Sequence, residues 1–139
     1  MICRTCRFSG AIEFLKQQVF RIKCRIKSQL LSAKKQNVCY LVFKLSDKCP
    51  GLHGPVMVRD LFHWRSKQTR TLYFRSPNLW NLHHNDSIAK KRKDGWMEVI
   101  LWKYNVNYGL TNDHLFVHLK LVTYEGTMAG LIVRNIEFR

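Results

Sequence analysis

The last third of the chain most restricts what it can fold into, because it consists of strand-like runs in quick succession. Residues 95–104, 116–123 and 130–139 are rich in Val, Ile, Leu, Phe, Trp and Tyr, and Gly, Asn and Asp residues separate them. Such runs, bounded by turn-forming residues, are typical of β-strands. The last run continues to residue 139, and a terminal strand is held only by a sheet or a core. We therefore expect it to pair with strands formed earlier in the chain.

Four more runs upstream predict strands, at residues 19–27, 38–45, 56–62 and 71–75. In the first of these, apolar residues alternate with four cations, which predicts a half-buried strand with a basic outer face. The four cations are Arg21, Lys23, Arg25 and Lys27. Seven short strands without a convincing helix between them predict an all-β fold, an antiparallel β-sandwich.

Two segments have a weaker pattern. In residues 8–18 the apolar side chains lie at near-helical spacing, which predicts a short helix or a frayed extension. Residues 76–93 form a long irregular segment, and such segments in small domains are functional or disordered. With 139 residues the chain fits one domain.

The chain is strongly basic, with 24 Lys and Arg against nine Asp and Glu and a formal net charge of +15. This excess attracts polyanions such as nucleic acid and acidic glycans without a dedicated site. Since no apolar run is long enough to span a bilayer and Arg4, Arg7 and Glu13 interrupt the N-terminal segment, we expect no membrane insertion and a cytoplasmic or nuclear location. The five scattered Cys residues favour reduced thiols over disulfides.

Two separated motifs carry a family resemblance: DGWMEV at residues 94–99 and GLIVRNIEFR at residues 130–139. Together they resemble the closing signature of the phloem protein 2 family, the Nictaba-type plant lectins. Residues 20–26 and 40–45 are similar to upstream blocks of that family in the same order. The resemblance implies a β-sandwich of jelly-roll type over residues 19–139, in the nucleus and cytoplasm of a plant cell. It also implies binding of N-acetylglucosamine oligomers or N-glycan cores.

The chain departs from the family pattern in three places. Residues 1–18 match no Trp-bearing N-terminal block, and the first Trp is Trp64, so we expect a divergent extension and a sandwich that lacks an N-terminal strand. Residues 116–123 lack the Glu residues that many lectin-active relatives carry on this strand. An F-box, present upstream in some relatives, is not found, so an adaptor role in ubiquitin ligation has no support in these residues.

A lectin site combines an aromatic face with polar groups that fix the sugar hydroxyls. The candidates for the aromatic face are Trp64, Trp80, Trp102, Tyr104 and Tyr108, in or beside predicted loops. The polar candidates are Asn112, Asp113 and Glu125. The alternative for each ring is packing in the core, which is the expectation for Trp96 within the signature strand.

The basic run Lys90, Lys91, Arg92 and Lys93 lies in a predicted loop. It is adequate for a nuclear-import signal or a phosphate-binding patch, and a solvated loop is the alternative. Cys3 and Cys6 have zinc-knuckle spacing but lack the further ligands of a closed site, so we predict no metal and no cofactor. Single, scattered carboxylates, the lack of a phosphate-binding glycine loop and the lack of a nucleophile turn predict a protein that is not an enzyme.

Three functions remain open. The first is a non-catalytic lectin whose partners are glycans or glycoproteins. The second is a basic polyanion-binding protein, for instance on RNA, that uses the cations of residues 21–27 and 90–93 and loses affinity as salt rises. The third is a truncated paralogue that binds nothing and associates through an open sheet edge, where a homodimer could also form.

Overall fold

The computed structural model describes residues 3–27, 36–62, 68–76, 86–105, 110–111 and 114–139, and every regular element in these residues is a β-strand. The strands are β1 (Cys3–Glu13), β2 (Val19–Lys27), β3 (Gln36–Leu45), β4 (Val56–Asp60), β5 (Thr69–Tyr73), β6 (Ser87–Ile88), β7 (Lys90–Lys91), β8 (Met97–Asn105), β9 (Leu110–Thr111), β10 (His114–Thr123) and β11 (Leu131–Phe138). The seven predicted strands are among them, so the prediction of an all-β chain is confirmed. Within these ranges, no helix is long and apolar enough to cross a membrane.

The strands form two sheets. Sheet A has the order β1-β11-β3-β8-β7, and sheet B has the order β2-β10-β4-β5-β6, with β9 paired to β10. All pairs are antiparallel except the short parallel pair of β5 and β6. The consecutive strands β10 and β11 lie in different sheets, so the turn between them carries the chain from one sheet to the other.

A single hydrophobic core includes inward-facing side chains of both sheets. Strand β10 shows the pattern most clearly, because every second residue from Leu115 to Thr123 is buried while the residues between them are half-buried. Phe43 of β3 and Phe74, directly after β5, meet edge to face across the core with ring centroids 4.8 Å apart. Full burial of a side chain of this kind stabilises the fold by roughly 1.5–3 kcal/mol.

The N-terminal segment differs from the expectation of a short helix and a missing strand. Residues Cys3–Glu13 form β1, which pairs with β11 from Cys3 opposite Phe138 to Glu13 opposite Ile132. Phe14 then enters the core, where its ring lies 4.4 Å from that of Phe20. Pairing with the open side of β11 outweighs a weak helical spacing, because a strand position satisfies the backbone groups of both segments. Sheet A therefore does not lack a strand at this edge.

Candidate functional site

The residues predicted for a sugar site have three different outcomes. Trp64, Trp80, Tyr108, Asn112 and Asp113 lie outside the described residues. Trp102 and Tyr104 are only 5% and 1% exposed and belong to the core. This corrects the expectation that they stand in or beside loops, and their rings offer no face to a ligand. Glu125 is exposed at the turn between β10 and β11.

Strand β8 buries Trp102 because its register is irregular. Cys39 of β3 lies opposite Trp102 and Tyr40 lies opposite Ile100, so Leu101 is an extra residue on β8. In a regular strand, successive side chains point to opposite faces, whereas a bulge allows two neighbours to share one face. Leu101 and Trp102 accordingly both enter the core.

Three connections between strands meet around Glu125 at one end of the sandwich: residues 14–18, 46–55 and 124–130. Hydrogen bonds join the first to the third, because the N–H of Met128 donates to the carbonyl of Gln17 at 2.7 Å and the side-chain amide of Gln18 donates to the carbonyl of Gly126 at 3.0 Å. The second joins the third through the N–H of Ser46, which donates to the carbonyl of Gly130 at 2.8 Å. We call these three connections the turn end.

The turn end presents an aromatic ring beside a carboxylate. Tyr124 is 74% exposed, and Glu125 follows it directly. His53, on the neighbouring connection, is also exposed. Sequence reasoning selected Glu125 and missed Tyr124, whose signal was an aromatic residue directly before a Glu-Gly turn. The ring of Tyr124 is therefore accessible to a ligand.

Close backbone contacts fix the shape of the turn end. Gly126 has a φ of 76°, which a glycine adopts without strain. A Cβ on Gly51 would lie 2.3 Å from the carbonyl oxygen of Thr127, so only glycine allows the two connections to touch here. A Cβ on Gly54 would lie 2.7 Å from Oε2 of Glu125, so that carboxylate rests directly over Gly54.

Hydrogen bonds from Arg75 hold the connection that bears His53. The guanidinium of Arg75 donates to the carbonyl of Cys49 at 2.7 Å and to that of Gly51 at 3.2 Å. Leu52 is buried and has a φ of 64°, a left-handed conformation that is uncommon for a residue with a side chain. Residues in such conformations persist where their surroundings impose them, and they are frequent at binding sites.

The signature residues form a charge network on the outer face of sheet A. Arg92 lies 2.9 Å from Asp94 and 3.2 Å from Glu137, and it also approaches Glu98 at 3.8 Å. Arg139 binds Glu98 through both terminal nitrogens and Glu137 at 3.0 Å. Arg134 reaches Asp94 at 3.5 Å. Because β3 lies between β11 and β8, the ion pairs of Arg139 with Glu98 and of Arg92 with Glu137 span this strand.

The charge network shifts the pKa values of several of its members. Burial alone would raise the pKa of Glu137, but hydrogen bonds from Arg139 and Arg92 outweigh it and hold that pKa below its usual value. The pKa of Asp94 is also lowered, since the Trp96 N–H and Arg92 outweigh the effect of burial. The hydrogen bond to Glu98 contributes most to raising the pKa of Arg139. Asp94 and Glu137 therefore stay ionised to a lower pH than ordinary carboxyl groups do.

Only the second half of the basic run, Arg92 and Lys93, lies in a loop as predicted. Lys90 and Lys91 form β7, paired with Glu98 and Met97 of β8. Arg92 is engaged in the network, while Lys90, Lys91 and Lys93 are exposed. Three of the four cations of this run are thus accessible. Its role as a nuclear-import signal stays a prediction.

The outer face of sheet B is basic, as predicted for β2. Arg21, Lys23, Arg25 and Lys27 are exposed on this edge strand. Their neighbours across β10 are Lys120, His118, Phe116 and His114, in that order. Arg59 of β4 lies beside Lys120 and extends the row. Phe62, 41% exposed, stacks on Phe116 with ring centroids 5.2 Å apart.

The two sheets and their shared core define a β-sandwich domain whose described elements are all strands. Comparison with known proteins then shows that the chain belongs to the phloem protein 2 family, whose model matches residues 2–139. This family is lectin-like. The match begins before β1, in agreement with the place of that strand in sheet A.

Curated relatives come from Arabidopsis thaliana and are longer than this chain. F-box protein PP2-B7 is 29% identical over 134 residues, which are 91% of this chain and 44% of the relative. F-box protein At2g02240 is 30% identical over 138 residues, 96% of this chain and 42% of the relative. F-box protein PP2-B10 is 28% identical over 121 residues, 86% of this chain and 44% of the relative. The chain thus spans less than half the length of these relatives.

Proposed function

We propose that the chain is a non-catalytic carbohydrate-binding protein that recognises N-acetylglucosamine-containing glycans at the turn end. The membership of a lectin-like family supports binding of carbohydrate in general. The observation that carries the location is the exposed ring of Tyr124 on a turn that also holds the Glu125 carboxylate. Glycoproteins that carry such glycans are the corresponding partners.

The chemistry of the turn end suits a sugar. The apolar face of a pyranose stacks on an aromatic ring, and a carboxylate accepts hydrogen bonds from its hydroxyls. The side chain of Glu125 supplies such a carboxylate. The fixed contacts among Gly51, Gly54 and residues 124–127 keep the turn in one conformation, which lowers the entropy lost on binding.

The test is binding of purified protein to immobilised N-acetylglucosamine oligomers, with free chitotriose as competitor at low and high salt. Tyr124→Ala should weaken binding about threefold to tenfold because the stacking face is lost. Tyr124→Phe keeps the ring and should retain most of the affinity. Glu125→Gln should weaken binding about tenfold, because a charged acceptor is replaced by a neutral amide.

Phe62→Ala is the matched control, since it removes another exposed ring from the outer face of sheet B. Equal losses for Phe62→Ala and Tyr124→Ala would place the sugar elsewhere. Binding that disappears with salt and is not competed by chitotriose would contradict carbohydrate recognition altogether.

A second candidate function is binding of a polyanion such as RNA by the outer face of sheet B. The observation that favours it is the row of cations on β2, which Lys120 and Arg59 extend. Among the described residues of β2, β10 and β4, the only carboxylate is Asp60, which is buried. Stacked Phe62 and Phe116 provide an aromatic surface of the kind on which unpaired bases stack.

Salt dependence tests this candidate with a single-stranded RNA oligonucleotide as the probe. Each neutralised phosphate of a single strand contributes about −0.7 to the slope of log K against log salt. The double variant Lys23→Gln/Arg25→Gln should therefore reduce the slope by roughly 1.4. Lys16→Gln/Lys48→Gln removes two exposed cations at the turn end and should leave the slope nearly unchanged. Equal effects of the two double variants would indicate attraction by net charge alone.

A further inference from the structure

A cavity of about 380 Å³ lies where the basic run meets β3. Its described lining consists of Lys44, Leu45, Lys91, Arg92, Gly95 and Met97. We propose that this cavity binds the phosphate or sulfate group of a small molecule. The sequence placed Lys91 and Arg92 in one run, but only the fold brings Lys44 to them.

Two of the three cations, Arg92 and Lys44, are positioned by contacts of their side chains, and the third lies on a strand. Arg92 is fixed by Asp94 at 2.9 Å and Glu137 at 3.2 Å. The ammonium of Lys44 lies over the ring of Trp96, 4.3 Å from its centroid. Lys91 belongs to β7 and pairs with Met97 of β8. Groups held in position before binding lose less conformational entropy when a ligand arrives.

The charge at the cavity is not balanced by the protein. The network contains three cations, Arg92, Arg134 and Arg139, and three carboxylates, Asp94, Glu98 and Glu137, so its own sum is zero. Lys44 and Lys91 lie outside those ion pairs, and the described lining contains no carboxylate. Two surplus cations at one cavity repel each other, and a bound anion would remove that repulsion.

A second cavity differs because both cations and carboxylates line it. It has a volume of about 370 Å³ and lies between β3, β5, β6, β7 and β8. Arg70, Lys90 and Lys103 line it together with Asp86 and Glu98. An anion entering that cavity would meet two carboxylates, whereas one entering beside Lys44 would meet none in the described lining.

The shape of the cavity limits the ligand. A volume of about 380 Å³ is at the small end of the range for ligand sites. A Cβ on Gly95 would have no heavy atom within 4 Å, so the space beside this glycine is open. Leu45 and Met97 add an apolar wall. A tetrahedral oxyanion attached to one compact organic group fits this lining.

Titration by NMR tests the proposal with inorganic phosphate, sodium sulfate and sodium chloride at matched ionic strength. The backbone amide of Gly95 should shift in a saturable way with phosphate or sulfate and not with chloride. Comparing the two oxyanion titrations identifies the source of the ligand group: a lower dissociation constant for phosphate indicates a phosphate ester, and one for sulfate a sulfate ester. An equal response to chloride would overturn the proposal.

Two variants separate a defined site from general attraction to the basic run. Lys91→Ala should weaken oxyanion binding by about tenfold, because a charge-assisted contact is lost. Lys93→Ala removes the same charge two residues away, outside the described lining, and should change binding less than about twofold. Lys44→Ala should match Lys91→Ala. If Lys93→Ala has the same effect as Lys91→Ala, the site does not exist as proposed.

Discussion

Single residues of the signature motifs have a structural role that their sequence does not reveal. Asp94 and Glu98 from the first motif meet Arg134, Glu137 and Arg139 from the second in one charge network. Trp96 lies beside them under Lys44 and Arg134, with the Arg134 guanidinium 5.4 Å from its ring centroid. The residues that identify the family therefore hold the turn after β7 against β11.

The structural role of the charge network can be tested at Glu137 through the pH dependence of the free energy of unfolding. Glu137 is 1% exposed and ion-paired to Arg92 and Arg139, and its pKa is lowered in the folded state. The folded state thus binds fewer protons, so the stabilisation is complete above the ordinary Glu pKa of about 4.3 and is lost as pH falls through the lower folded pKa. Glu137→Gln should cost roughly 1.5–3 kcal/mol at pH 7, because the half-buried Arg92 and Arg139 both lose their charged partner on β11.

The measurement is urea denaturation at pH 7, 5 and 3 of both proteins. The difference between the two should shrink as pH falls below the ordinary Glu pKa of about 4.3, because the stabilisation by the carboxylate is then progressively lost. Glu13→Gln serves as control, since this carboxylate is exposed and has no such ion pair in the described structure. A difference that stays constant with pH would show that Glu137 acts through packing alone.

At the scale of elements, the sequence identifies strands well where the pattern has a period of two. Strand β2 shows this, because its alternation of cations and apolar residues matches its burial. The period-two pattern does not predict β1. This segment is a strand because it pairs with the open side of β11, and the spacing of its apolar residues does not indicate that. The pattern also fails to predict the burial of Trp102. A bulge in β8 changes the face on which this ring lies, and the amino-acid composition does not indicate a bulge.

The candidate site was predictable only in part for a related reason. Glu125 was selected because polar groups in turns are accessible to ligands. Its neighbours at the turn end come from connections far away in sequence, since the side chain of Gln18 reaches Gly126 and Gly54 lies under Glu125. The same limit applies to Lys44 and Lys91, which come together only when β3 and β7 join one sheet.

At the scale of the whole molecule, the order of strands makes the N-terminal segment part of the fold. Strand β1 covers one side of β11, and β3 covers the other. Phe14 also attaches the N-terminal segment to the rest of the fold. Its backbone N–H donates to the carbonyl of Leu131 at 2.8 Å, and its side chain is buried. The predicted division of the chain at residue 19 is therefore tested first by asking whether the rest of the chain folds without β1.

Deletion of residues 1–13 answers that question, with deletion of residues 1–2 as the matched control. Loss of β1 leaves the backbone of β11 without partners along one side, and an open strand edge promotes association. We expect the larger deletion to lower the melting temperature by roughly 10 °C or more and to elute as aggregates or dimers in size-exclusion chromatography. The control should melt and elute like the full chain. If the larger deletion remains monomeric with an unchanged melting temperature, β1 is dispensable, and the domain does not need the residues before Phe14.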